Sequence, residues 1–169
     1  MNGEKTIEVR KNKALATAIQ KLIDENGYAE IYVYCSKGKE RLVNLIDDSF
    51  YCGASTRLNG KVVFKFRCYK VEEIVLNKNH FVNEQYSTDE LDYEELLKQS
   101  CLTYKELDDY LQCEIAYAIH ISNLEIFDKP KELSEFKYWK DKSEYGCWYE
   151  NKLTKAPQNM VYIEVTENE

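Results

Sequence analysis

Apolar residues recur along the early chain at the spacing of one helix face: Ala14, Leu15, Ala18, Ile19, Leu22 and Ile23. With Asn12 placed to cap the start and Gly27 to end it, the spacing predicts a helix over 13–26. The period then changes to two. Ile31, Val33 and Cys35 alternate with Tyr32 and Tyr34, which predicts a strand over 29–35 that runs into the polar loop Ser36-Lys37-Gly38-Lys39. Asn59-Gly60 marks a turn, and alternation resumes over 61–71, with Val62, Phe64, Phe66 and Cys68 on one face and Val63, Lys65, Arg67 and Tyr69 on the other. The first face is expected in the core. The second is expected to be wet, cationic and partly aromatic.

Residues 89–99 read as an acidic helix, and Thr103-Tyr104-Lys105-Glu106 fits the capping box of a second one. Over 114–121, Ile115, Tyr117, Ile119 and Ile121 form the apolar row, so Ala116, Ala118 and His120 are expected on the opposite face. A short strand over 124–127 is expected to stop at the Asp128-Lys129-Pro130 turn. Residues 137–155 lack periodicity and read as a long polar loop before a last strand over 160–165. Strands interrupted by helices, without a repeated β-α-β rhythm, predict an α+β fold with a mixed, barrel-like sheet rather than a doubly wound one. A length of 169 residues fits one domain with a core of its own.

Composition changes this picture in three places. No apolar run reaches the length of a membrane span, and Met1-Asn2-Gly3-Glu4-Lys5 has no secretory apolar stretch, so a cytoplasmic location is expected. The six cysteines include no C-x-x-C pair and read as reduced, mostly buried thiols, with neither metal nor cofactor expected. The net charge of −7 is unevenly spread. Residues 1–70 carry 13 basic and 8 acidic groups, residues 71–112 carry 3 and 11, and residues 113–169 carry 7 and 11. Local field steers a ligand more than net charge does, so a basic first segment keeps a polyanion partner open.

The segment Gly3-Glu4-Lys5-Thr6-Ile7-Glu8-Val9-Arg10 resembles the G-x-K-x-x-E-x-R signature of ASCH domains, a branch of the PUA-like superfamily. Tyr32 to Gly38, Asn59 to Val63, Cys101-Leu102-Thr103, Tyr117 to Leu124, Asp128 to Phe136 and Ala156 to Asn159 resemble phage and prophage members in the same order. The resemblance implies a PUA-like β-barrel with peripheral helices, and a cleft that binds RNA or a modified nucleotide. Family members usually carry a strand and a short helix before the motif. This chain starts at the motif, so by the resemblance either the start is shortened or the missing strand is supplied otherwise, and an unpaired sheet edge would invite copies or a partner to pair. Some small ASCH proteins hydrolyse acylated cytidine with a Lys, a Thr three residues later and a distant Glu. Here Lys5 matches, but Glu8 stands at the Thr position and Gln99-Ser100-Cys101 near the expected acid, so that chemistry is not expected.

The expected ligand-binding residues are Lys5, Glu8, Arg10, Lys37, Lys61, His120 and Ser122. A carboxylate between Lys5 and Arg10 can orient a point charge and a planar fork toward phosphate or a base edge; the same three residues also read as a structural ion pair. Lys37, Lys39 and Arg41, with Lys61, Lys65 and Arg67, can neutralise phosphate while Tyr32, Tyr34 and Tyr69 stack bases. His120 reads equally as a hydrogen-bonded structural histidine. Two other classes stay open. One is a metal-independent ribonuclease using Lys5 and His120; the other is a phage counter-defence protein whose acidic face blocks a host nucleic-acid-binding enzyme.

Overall fold

A computed structural model of the chain describes residues 4–36, 58, 60–77, 85–112, 115–139 and 152–164. The order is β1 (Ile7–Arg10), α1 (Lys13–Asn26), β2 (Ala29–Tyr34), β3 (Lys61–Cys68), β4 (Val71–Asn77), β5 (Gln85–Ser87), α2 (Tyr93–Ser100), α3 (Tyr104–Leu111), β6 (Ala116–His120), β7 (Ser122–Glu132), a 3₁₀ turn (Leu133–Glu135), β8 (Lys137–Tyr138) and β9 (Ile163–Glu164). The fold is α+β. The chain forms two compact units, one of residues 1–31 with 66–124 and one of residues 32–65 with 125–169.

In the first unit a four-stranded sheet has the order β1-β6-β4-β5, and every pairing is antiparallel. Ile7 and Val9 of β1, Ile74 of β4, Tyr86 of β5 and Ala116 and Ala118 of β6 face one core, which Leu96 of α2 and Leu107 and Leu111 of α3 complete. The two rows of β6 lie on opposite faces as expected, but the alanine row faces this core. Ala116 and Ala118 are fully buried, whereas Ile115 of the apolar row is 57% exposed. The reason is volume: small Ala side chains let the helices approach, and helix leucines supply the bulk. Ile119, on the other face, is buried as well, and α1 packs against β6 and β4.

The helices carry the signals that define them. Asn12 Oδ1 accepts from the Leu15 N–H, and Gly27 ends α1 with a left-handed φ of 81° that a Cβ would strain. The acidic helix begins at Tyr93, later than the pattern indicated, because Asp92 caps it by accepting from the Glu95 N–H. Thr103 and Glu106 form the expected capping box at the start of α3.

A three-stranded sheet has the order β2-β3-β7. In the second unit, Val62, Phe136 and Leu153 form a core with Tyr32, Tyr34, Phe127, Leu133, Tyr138, Val161 and Ile163 packed around it. Tyr32 and Tyr34 are therefore core edges with polar tips rather than an outward stacking face. Strand β7 continues through Pro130, where a turn was expected. It lies at the end of its sheet's order, a position where proline's missing N–H need not break a ladder. Of the expected loop over 137–155, Lys137 and Tyr138 pair with Glu164 and Ile163, and Lys137 also bridges Lys152. Residues 140–151 lie outside the described residues.

Candidate functional site

Strand β1 places the signature residues. The Thr6 N–H donates to the Gln99 carbonyl at 2.9 Å, and the Thr6 carbonyl accepts from the Ile121 N–H at 2.8 Å, so the backbone beside Lys5 is held from two directions. Alternation then sends Ile7 and Val9 into the core and Glu8 and Arg10 to the other face. There Glu8 gives one carboxylate oxygen to each cation: Lys5 Nζ lies 2.7 Å from Oε2 and Arg10 Nη2 lies 2.7 Å from Oε1. All three side chains keep solvent access, at 39% for Lys5, 27% for Glu8 and 52% for Arg10. The cluster carries one net positive charge and retains N–H donors on both cations. Such exposed pairs contribute about 0–1 kcal/mol each to stability, so the arrangement matters more for orientation than for folding.

His120 is not part of this cluster. It pairs in register with Ile7, and Ala118 with Val9, so its ring projects from the core face while Glu8 and Arg10 project from the opposite one. Its Nε2 lies 2.6 Å from Glu72 Oε2. Of the expected ligand-binding residues, His120 is thus separated from Glu8 and Arg10 by strand parity: an even step along β6 carries it to the face of Ala116 and Ala118.

Glu72 is the residue that sequence reasoning missed. Its side chain is only 6% exposed, and it accepts from the Thr88 hydroxyl at 2.9 Å and the Glu90 N–H at 3.3 Å, with Lys70 Nζ at 3.4 Å. Burial raises its pKa, but the hydrogen bonds from Thr88 and His120 and the charge of Lys70 outweigh that and leave it below the ordinary glutamate value. Lys70 is held in its charged form, chiefly by its pair with Glu90. Apart from Lys70, nothing local marked Glu72, because its hydrogen-bond partners Thr88, Glu90 and His120 stand 16, 18 and 48 positions away in the chain.

The other expected cations are largely neutralised. Lys61 pairs with Glu132, Lys65 lies 3.5 Å from Glu125 and 5.7 Å from the Tyr32 ring centroid, and Arg67 lies 3.7 Å from Glu30. Ser122 is half-buried at the start of β7. Lys37, Lys39 and Arg41 lie outside the described residues. Of the cysteines, Cys35 and Cys68 are buried, Cys101 is exposed, and burial pushes the Cys68 thiol up and away from reactivity. Among the described residues no group of three or more His, Cys, Asp or Glu is placed to hold a metal, and no helix is long and apolar enough to cross a membrane.

The structure therefore assembles Lys5, Glu8 and Arg10, assigns His120 to a buried carboxylate network, and pairs the β3 cations with acids. No protein-family model, no curated protein and no solved structure matches the chain.

Proposed function

We propose that the chain is an ASCH-type, PUA-like barrel domain of phage or mobile-element kind, working in the cytoplasm, that binds RNA or a modified nucleotide without catalysis. The observation that carries the reading is the Lys5–Glu8–Arg10 cluster, in which one carboxylate at 2.7 Å from each cation sets their geometry while all three side chains stay open to solvent. A phosphate arriving there meets an oriented guanidinium fork and an ammonium, and it need not order them first. The G-x-K-x-x-E-x-R resemblance supports the same three residues. The ribonuclease alternative gains less support, since Lys5 is paired with Glu8 while the His120 ring is held by Glu72, 2.6 Å away.

Titration of labelled RNA, single-stranded DNA and nucleosides at low and moderate salt tests the reading. Binding that weakens as salt rises is the expected result, because phosphate contacts release counterions. Absence of binding to any of these at low salt contradicts it. Unchanged RNA after prolonged incubation with the protein and a chelator is expected, and cleavage would move the assignment to the enzyme class.

A further inference from the structure

We infer that Tyr28, Tyr69 and Arg67 form a base-stacking subsite for single-stranded nucleic acid on the same unit as the Lys5–Glu8–Arg10 cluster, an inference that rests on the proposed function and specifies its ligand. Tyr28 stands just before β2, Arg67 near the end of β3 and Tyr69 just after it. Glu30 lies opposite Arg67 at 3.7 Å, the Arg67 guanidinium sits 4.6 Å from the Tyr28 ring centroid, and the Tyr28 and Tyr69 rings lie 5.9 Å apart with a 42° tilt. Contacts on each side hold the guanidinium, and the two rings brace one another. A stacking platform held this way loses little side-chain freedom on binding. Even so, Tyr69 remains 46% exposed, the condition for accepting another flat group.

Strand register ties the platform to the cationic cluster. Glu8 pairs with Ile119, and Ile119 pairs with Val71, so these three share a row on one face of the sheet. The pairing continues one step further, with the Ile121 N–H donating to Thr6 and the His120 N–H donating to Lys70. Tyr69, two residues before Val71, thereby emerges on the face of Glu8, at the end of the sheet where Lys5 enters β1. Neighbouring strands are about 4.8 Å apart, so β1 and the start of β4 are separated by roughly 10 Å. A nucleotide strand can span that distance with a phosphate at the cations and an unpaired base on the tyrosine. Duplex nucleic acid keeps its bases stacked inside and cannot use the platform, which selects single strands.

The test is fluorescence anisotropy at low salt with a short labelled oligoadenylate and an abasic ribose-phosphate oligomer of equal length. The wild-type protein should prefer the base-bearing strand. Tyr69→Ala should lose roughly 5- to 100-fold in affinity for oligoadenylate, the value of one stacked base, and bind the abasic strand as before. Tyr69→Phe, which keeps the ring, should bind like wild type. In the wild type itself, ring resonances of Tyr28 and Tyr69 should shift with oligoadenylate and stay still with the abasic strand. Equal affinity of wild type for the two strands, or unmoved ring resonances, overturns the subsite. If Lys5→Ala and Arg10→Ala still weaken both strands in that case, the proposed function survives without it. If the wild type binds neither strand, both fall.

Discussion

Glu72 shows how a residue can govern a structure while leaving no trace in local sequence. A carboxylate with 6% of its side chain exposed would be a heavy burden if bare, and Thr88, His120, Lys70 and the Glu90 N–H share its two oxygens. Replacing it by Ala leaves those groups facing a void, and we expect a loss of about 2–4 kcal/mol in urea unfolding. Its depressed pKa also fixes a sign. Stability from the ionised form is complete above the ordinary carboxylate range and is lost as pH falls through the lower, folded-state value. Wild-type urea midpoints should therefore drop more steeply than those of Glu72→Gln as pH is lowered from about 6 to about 3. Parallel slopes would show that Glu72 is not the titrating group. Glu8, by contrast, was legible, because a signature named it and its partners Lys5 and Arg10 stand three and two positions away. Glu8→Ala deletes a negative charge from a candidate anion site, yet we expect weaker RNA binding, since the two cations lose their common anchor and repel. Tighter binding by this variant in a filter or anisotropy assay would make the carboxylate merely inhibitory.

Elements were legible where their signals lay within a few residues. Helix α1 could be read from cap to cap because Asn12 and Gly27 act on backbone groups three and four positions away. The capping box of α3 was equally local, and Thr103→Ala should cost about 1 kcal/mol in thermal or urea unfolding. Strand β6 was found, but its inward face was not, because both of its faces are covered and alternation no longer distinguishes them. The choice was made by tertiary packing, which gathers Ala116 and Ala118 into one core with Leu96, Leu107 and Leu111. Ala118→Leu, harmless if that face were outward, should force the helices away and cost about 1–3 kcal/mol, whereas Ile115→Ala should change stability little. Denaturation midpoints of the two variants decide the orientation. Pro130 misled for a related reason: it reads as a stop until the strand's place at the end of a sheet is known.

For the whole molecule, charge arrangement matters more than charge total. A chain of net charge −7 is a poor polyanion binder on average, and three cations of β3 are already matched to Glu132, Glu125 and Glu30. The account therefore rests on a small local field at Lys5 and Arg10, set by one carboxylate on an edge strand of the four-stranded sheet. A binder built this way should show a shallow salt dependence, unlike a broad basic surface. The direct measurement is the affinity for a short single-stranded RNA across a series of salt concentrations, for wild type and for the double variant Lys5→Ala, Arg10→Ala. With two phosphate contacts removed, the log–log slope should flatten by about 1.4, and binding at low salt should weaken together with it. An identical slope and affinity in the double variant would contradict the account and move the nucleic-acid contact away from the signature.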